Sequence, residues 1–486
     1  MKLNDIVKQG VKAEVYKIDE NVEVTGLSTS SENTVKGDLF FCLRGENFDG
    51  HNYAADAVRR GAVAVVTEKF MPKISCAQVV CEDTRLAYSY FSATFYGNPQ
   101  KDMKIIGVVG TNGKTSTVKI IENVLKMHGK EVASIGTLGV SYRNERIEPT
   151  LTTPDPKEFF KILALLKSEG IKYVVTELSA HAIWLKKLSA VNFECLVFTN
   201  CTHDHLDYFS DFQSYRNVKK SAFGKTARLF AVNVDDPLGR EIYNENPKKT
   251  ITYGMYSPSD VFAIDVKERL TGVEFVLNMF DMVFRVSSKL CGEFNVYNVL
   301  ASACACFLCG IKPEKIVNYI GKISPVEGRM EYVAQYNGAK IFVDYAHTPD
   351  GLNKSLSFIA SVSEGKTCVV FGCGGDRDKT KRAEMGRIAA DIADMVIITS
   401  DNPRYEDENA IIGDVAAGAS VVTNNFVIIP DRLSAVKYAV KSLNPDDILI
   451  ITGKGAEEYI EKRGNKIPYS DAEAVRQVVE ELNNNG

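Results

Sequence analysis

No stretch of this chain is apolar over the roughly 18 residues that a membrane-crossing helix needs. Its opening, MKLNDIVKQGVKAEVYKIDENVEV, has no apolar core of a signal peptide. A cytoplasmic protein is therefore expected. Basic excess is absent too: the net charge is −4, which disfavours nonspecific nucleic-acid binding. Eleven cysteines are scattered without paired CxxC units, and an odd count argues against a disulfide framework. Reduced, buried thiols are the simple expectation. Short-period repeats, low-complexity tracts and charged tails are missing as well. What remains is the composition of a globular protein, 45% apolar and 25% charged, long enough at 486 residues for about three domains.

The most informative stretch is Ile105 to Ser116, IIGVVGTNGKTS. Apolar residues lead into Gly110, then Thr111, Asn112, Gly113, Lys114, Thr115 and Ser116. This reads as a buried strand, a glycine turn and a helix start. Such a loop lets backbone N–H groups close on a polyphosphate, with Lys114 meeting its charge and Thr115 offering a hydroxyl to Mg²⁺. It is not a full Walker A pattern, because the first glycine falls at Val108 and Gly107 is one place off. By itself GKT is also compatible with an ordinary turn.

Residues 1 to about 100 read as a small α/β module with a helix at 54–60, a strand at 62–66 and a break near Asn98-Pro99-Gln100. From Lys104 to about Val326 strands at 105–109, 173–176 and 194–198 alternate with helices at 114–128 and 156–168. Such alternation implies a mostly parallel sheet with both faces covered. From about Glu327 the pattern restarts, with strands at 341–343, 368–371, 396–399, 426–429 and 448–451 and helices at 379–392 and 433–443. The fold class is therefore α/β.

Polar clusters fall at the carboxyl ends of these strands, where ligands gather in open parallel sheets. Glu177 ends one strand as a Walker B acid would, a position from which a carboxylate can hold Mg²⁺. A helix-capping or ion-paired glutamate is the alternative. Thr199 to Tyr208 brings His203, Asp204, His205 and Asp207 after another strand, a set suited to a metal or catalytic site. Of six histidines, only His128 is expected on a helix; the others, His181 included, fall in loop signatures. In the last third, loops at 344–350, 372–378, 400–406 and 453–457 should open on one edge of the sheet. Their mixed acidic and basic groups suit a zwitterionic ligand better than a bare phosphate.

Taken together, GTNGKTS (110–116), TELSAHA (176–182), FTNCTHDHLDYF (198–209), GEFNVYN (292–298), EGRME (327–331), VDYAHTPDGL (343–352), GCGGDRDKTKR (372–382), SDNPRYE (400–406) and GKGAEEY (453–459) resemble the Mur ligases of peptidoglycan synthesis, in order and over nearly the whole chain. The resemblance implies three domains: a small N-terminal α/β UDP-sugar-binding domain at 1–100, a central P-loop ATPase-like parallel sheet at 101–327, and a C-terminal Rossmann-like, amino-acid-binding domain at 328–486. It implies ATP-dependent amide formation through an acyl phosphate, with ATP and Mg²⁺ as cofactors. Substrates would be UDP-N-acetylmuramoyl-L-alanyl-D-glutamate and a diamino acid; a monomer is expected.

Carried over by position, the resemblance assigns Gly110, Thr111, Asn112, Gly113, Lys114, Thr115, Ser116, Asn298, Arg329 and Asp344 to ATP. Lys114, Glu177, His205 and Lys219 would be catalytic. Thr115, Glu177, His205 and a carbamylated Lys219 would ligate metal. Ser31, Thr152, Thr153, Ser179 and Lys187 would line the UDP-sugar-peptide site. Arg377, Asp401, Asn402, Pro403, Arg404, Gly453 and Glu457 would take the amino acid. The DNPR loop resembles the diaminopimelate-adding type, since an arginine can pair with a distal carboxylate that lysine lacks. L-lysine, another diamino acid or a diverged paralogue stay open. The chain departs from the family pattern at Ser30-Ser31-Glu32, Ala180, Lys187, His203 and Ala456.

Other classes stay open too. A P-loop phosphohydrolase or kinase is disfavoured by the incomplete Walker A and the mixed C-terminal loops. A nucleotide-binding scaffold is disfavoured by the joint presence of Lys114, Glu177, His205 and Lys219. Folylpolyglutamate synthetase shares the ATP motifs, but DNPR and the N-terminal module fit it poorly.

Overall fold

The structure is a computed structural model that describes every residue except 9, 18–21, 46–47, 149, 205–207, 210, 225 and 485–486. The chain divides into two compact units. One comprises Met1–Val109, Gly129–Val197 and Val218–Phe230; the other comprises Gly110–His128, Phe198–Asn217 and Ala231–Gly486.

The first unit begins with a five-stranded sheet in the order Ala13–Tyr16, Ala77–Cys81, Ala64–Thr67, Asp38–Phe41, Gly26–Ser28. The last four strands run parallel and the first is antiparallel. Side chains alternate between its faces. Leu39, Phe41, Val66 and Val79 pack with Phe91 of helix Thr84–Phe95, and Phe40 and Val65 pack with Ala54 and Ala57 of helix Ala54–Arg59. The same unit carries the strand Lys104–Val109 paired in parallel with Tyr173–Leu178, Glu177 lying opposite Val108. Tyr173–Leu178 also pairs in parallel with Val132–Gly136. An antiparallel meander, Val132–Gly136, Gly139–Tyr142 and Glu145–Ile147, follows. The expected helix at 156–168 is present as Pro156–Ser168.

The second unit contains two antiparallel ladders that strand–helix alternation does not announce, Val261–Arg269 with Gly272–Met279, and Gly272–Met279 with Met282–Ser288. Its last sheet has the order Glu331–Tyr336, Ala339–Asp344, Ile448–Thr452, Thr367–Phe371, Met395–Ile398, Phe426–Ile428. All but the first of these strands are parallel. Period-2 alternation feeds two cores. Phe342, Val369, Phe371 and Ile450 meet Leu352, Leu356 and Met385; Ile341, Val343, Val370 and Ile451 meet Val436, Val440 and Val475. Burial on both faces is why these strands read as continuous apolar runs. The four loops expected on one edge do follow the carboxyl ends of parallel strands. Among the described residues no helix is long and apolar enough to cross a membrane.

Candidate functional site

The phosphate loop is built by local backbone geometry. Gly113 caps helix Lys114–Met127 with φ +85°, a conformation only glycine adopts without strain. A Cβ there would also stand 2.4 Å from Asn298 Oδ1. The loop is fixed from Asn200, whose carbonyl accepts from Thr111 N–H at 2.9 Å and whose side-chain oxygen accepts from Asn112 N–H at 2.9 Å. Lys114 Nζ donates to the carbonyls of Gly110 (2.9 Å) and Thr111 (2.8 Å), so it lies over its own loop. Asn112 donates to Asp350 at 2.8 Å. Asn298, on helix Glu293–Leu308, donates to Asn295 at 2.9 Å and abuts the loop glycine.

Arg329 Nη2 donates to Thr115 Oγ1 at 3.0 Å, and its guanidinium lies 4.0 Å from the centroid of the Tyr345 ring. Asp344, expected at the nucleotide, accepts from Met330 N–H (2.8 Å), Ala346 N–H (3.0 Å) and the Ser355 hydroxyl (3.0 Å). It thereby holds the segment carrying Arg329, where Met330 sits at φ +45°. His347 has an imidazole pushed down to about 4, first by burial and then by Lys381, against the opposing pull of Asp204. It is neutral near pH 7. Facing the Tyr345 carbonyl at 3.0 Å, Nδ1 must carry the proton, which leaves Nε2 an acceptor. Lys381 pairs with Asp204 at 3.6 Å.

In the first unit, Glu177 is buried and accepts from Thr137, backbone at 2.8 Å and hydroxyl at 3.2 Å. Thr137 Oγ1 also lies 3.4 Å from Thr152 Oγ1. Thr153 Oγ1 donates to the Glu177 carbonyl at 2.9 Å and accepts from Ser179 N–H at 3.1 Å. Lys187 donates to the Thr153 carbonyl at 3.2 Å and pairs with Asp155 at 2.8 Å. Thus Thr152, Thr153, Glu177, Ser179 and Lys187 come together. Thr137 and Asp155 complete the set and were not singled out in the sequence; Asp155, three residues after Thr152, is the signal that was there. Ser31 is buried and hydrogen-bonds Asp56, which lowers that carboxyl. His181 is on the short helix Ala180–Trp184, not in a loop, because Ser179 Oγ accepts from Ala182 N–H as an N-cap. Lys219 is buried on helix Phe212–Ser221. His205 lies outside the described residues.

In the second unit, the loops expected to take the amino acid are stitched by long-range bonds. Gly375 N–H donates to the Asn402 carbonyl at 2.9 Å, and Asp376 N–H to Glu406 at 2.6 Å. Arg404 takes φ +50° and donates from Nη1 to the Gly375 carbonyl at 2.7 Å. Its Nε pairs with Glu461 at 3.2 Å. The hairpin Tyr459–Lys462 with Asn465–Pro468 supplies that glutamate, and Arg404 N–H donates to the Glu461 carbonyl at 3.0 Å. These bonds engage Nε and Nη1 of the guanidinium. Asn402 Nδ2 donates to Glu457 Oε2 at 2.8 Å. Gly453, at φ +110°, leaves room that a Cβ would take 2.6 Å from Asp401 Oδ2. Arg377 is exposed and bonds the Asp376 carbonyl at 2.9 Å. The Pro403 carbonyl accepts from Glu406 N–H at 3.0 Å.

Among the described residues no three His, Cys, Asp or Glu side chains converge as a metal site. Thr115 and Glu177 are nonetheless oxygen donors of the class a hard dication takes. Lys219, as an ammonium, has no lone pair to offer a metal; conversion to an anionic carbamate would give it the oxygen donors a hard dication takes.

Three family descriptions match consecutive parts of the chain: Mur ligase family, catalytic domain, at residues 23–85; Mur ligase middle domain at 108–306; and Mur ligase, glutamate ligase domain, at 328–455. A UDP-N-acetylmuramoyl-L-alanyl-D-glutamate–2,6-diaminopimelate ligase of Clostridium acetobutylicum is 37% identical over 485 residues, covering 99% of this chain and 100% of that protein. This chain belongs to the Mur ligase family. A Geobacillus thermodenitrificans ligase of the same name is 36% identical, covering 95% of this chain and 96% of its own. Among solved structures, one of a UDP-N-acetylmuramoyl-L-alanyl-D-glutamate–2,6-diaminopimelate ligase superposes with TM-score 0.70 at 28% identity over 99% of both chains. A MurF ligase of Thermotoga maritima, solved with ADP, shares the fold at TM-score 0.61 and 18% identity, over 96% of this chain and 100% of that one.

Proposed function

We propose that this Mur ligase adds meso-2,6-diaminopimelate to UDP-N-acetylmuramoyl-L-alanyl-D-glutamate, with ATP as the energy source, in cytoplasmic precursor synthesis. The observation that carries the reading is the convergence of Arg404, Asn402 and Glu457 on neighbouring loops. A cation, an amide and an anion held together suit the distal amino-acid end of diaminopimelate, which carries both a carboxylate and an ammonium. L-lysine lacks that carboxylate. The full-length relatives named for this reaction support the same reading.

A carboxylate resists nucleophiles, so it must first gain a leaving group. One substrate carboxylate oxygen attacks the γ-phosphorus of ATP, and the bond to ADP breaks. The amine then adds to the acyl carbon, and a tetrahedral intermediate expels inorganic phosphate together with that oxygen. The amine's proton leaves to solvent. Lys114 and Arg329 offset the repulsion as carboxylate nears phosphate, and the loop from Gly110 to Ser116 cradles the phosphates. Asn298 and Asp344 hold the loop and Arg329. Ser31, Thr152, Thr153, Ser179 and Lys187 bind the UDP-sugar peptide. Arg377, Asp401, Pro403 and Gly453 shape the amino-acid site. Thr115, Glu177, His205 and a carbamylated Lys219 are the proposed Mg²⁺ ligands. Bound Mg²⁺ supplies charge neutralisation of the phosphoryl oxygens. The proposed domains are 1–100 for the UDP-sugar, 101–327 for ATP and 328–486 for the amino acid.

The test is ligation with each amine and oxygen-18 in the substrate carboxylate. Product with meso-diaminopimelate and label in the released phosphate are expected. Equal or better use of L-lysine overturns the amine assignment, and unlabelled phosphate overturns the acyl phosphate.

A further inference from the structure

Lys454 is wholly buried, so it cannot itself meet a ligand, yet its ammonium lies at the centre of the amino-acid loops. It donates to Asn402 Oδ1 at 3.0 Å and Glu457 Oε2 at 3.1 Å, and it faces Asp401 Oδ1 at 3.7 Å. The consequence for Asn402 is specific. An asparagine side chain has an acceptor end and a donor end. Here Oδ1 accepts twice, from Lys454 and from Glu461 N–H at 2.8 Å. Turning the amide over would set NH₂ against an ammonium and a backbone donor. Its orientation is therefore fixed by chemistry. Nδ2 donates one proton to Glu457 Oε2 and has only a donor left to offer. Glu457, with Oε2 shared between Lys454 and Asn402, keeps Oε1 as an acceptor.

The charges agree with the geometry. Burial pushes the Asp401 carboxyl up, but Lys454 and Arg432 outweigh it and hold the group below its ordinary range. Arg432 donates to the Ser400 and Thr452 carbonyls at 3.1 and 2.8 Å, pinning the residues from which both loops depart.

We propose that Lys454 is the positioning residue of the amino-acid site, setting Asn402 as a donor to a substrate carboxylate and Glu457 as an acceptor for a substrate ammonium. This rests on the ligase reading above. Lys454 acts through the other two side chains, so its removal loosens recognition of the amine and leaves the ATP and UDP-sugar sites unaltered.

The experiment is steady-state kinetics of the full chain, with Lys454→Met in the parent and in an Asn402→Ala background. Lys454→Met is expected to raise KM for meso-diaminopimelate roughly tenfold, the size of one lost charge-assisted hydrogen bond. KM for ATP and for the UDP-sugar dipeptide stays within about twofold. In the Asn402→Ala background the same change has less than about a threefold effect, because the group it orients is gone. A merely structural lysine would move all three KM values together, and by the same factor in both backgrounds. Should Lys454→Met fail to fold, Lys454→Gln, which keeps a donor to Asn402, is expected to give a smaller rise confined to the amine. An unchanged amine KM, or a uniform rise in all three, overturns the proposal. A parent chain that ligates neither amine overturns the ligase reading and this proposal with it; a parent that ligates while the variants keep their amine KM overturns this proposal alone.

Discussion

The phosphate loop and the loops over the C-terminal sheet both gather charge at strand ends, but they hold it by opposite means. At the phosphate loop the scaffold is backbone. Gly113 adopts a left-handed turn, Asn200 catches two successive N–H groups, and Lys114 rests on the carbonyls of its own loop. At the C-terminal loops the scaffold is buried side-chain charge. Arg432 and Asp471 form a wholly buried pair at 2.8 Å, and Lys454 is tied to Asn402 and Glu457. A backbone cradle binds whatever phosphate enters and tolerates change in the side chains around it. A buried charge network fixes donors and acceptors one by one, which is what discrimination between similar amino acids requires. It also makes those loops sensitive to the loss of any one partner.

That contrast can be broken by stability measurements. Arg432→Met leaves the Asp471 carboxylate buried without its counter-charge and removes donors to the Ser400 and Thr452 carbonyls. A loss of about 3–5 kcal/mol is expected, read from urea unfolding. The double change Arg432→Met with Asp471→Leu should recover much of it, since no orphaned charge remains. A single variant losing less than about 1 kcal/mol would mean that the C-terminal network is no stiffer than the phosphate loop. Lys114→Met is the counterpart. It should lower kcat roughly 10²- to 10³-fold, the scale of removing one preorganised transition-state charge contact, with the urea midpoint unchanged. Arg404→Ala sharpens the comparison on the recognition side. KM for meso-diaminopimelate should rise roughly 10- to 100-fold and that for ATP should stay put, because one charge-assisted pair is lost. The preference over L-lysine should shrink accordingly.

The same contrast explains what was legible in the sequence. The phosphate loop lies within a dozen residues, so strand, turn and helix could be read from GTNGKTS and the apolar run before it. The helix at 156–168 has the bounds expected of it, with Pro156 in the first turn, where its missing N–H costs nothing. The parallel strands of the C-terminal sheet were legible because both their faces are buried. The side-chain network was not. Asn402 meets Lys454 and Glu461 across more than fifty residues, and nothing local marks Lys454 as their partner. The hairpin at 459–468 was missed because its strands bury little apolar surface, and its two-residue turn at Arg463-Gly464, like that at Phe280-Asp281 between the ladders of 261–288, is not one of the Asn-Gly or Asp-Gly pairs that signal a hairpin. Glu461, which flanks Arg404, therefore entered only with the structure.

A smaller effect probes the network from its acidic side. Glu406 bridges Arg382, at 2.9 Å, and Lys379, at 3.2 Å, while accepting from Asp376 N–H; Arg382 also pairs with Asp414 at 3.0 Å. The hydrogen bond from Arg382 is the main cause that brings the Glu406 carboxyl down to about 2. Its folded value therefore lies below that of an unfolded glutamate, about 4.3. Between those two values the unfolded chain binds the extra proton, so folding stability rises with pH across the window. The contribution is complete above about pH 4.3 and is lost as pH falls toward about 2. Glu406 remains partly solvated, so roughly 1 kcal/mol is expected after allowing for screening. Urea midpoints at pH 5 and pH 3 should differ less in Glu406→Gln than in the parent. Lys114→Met should leave that acid limb as steep as in the parent, because the bridge of Glu406 to Arg382 and Lys379 lies in the C-terminal loops and is untouched by it. An equal acid response in the parent and in Glu406→Gln would place the pH-sensitive charge elsewhere and remove this bridge from the network.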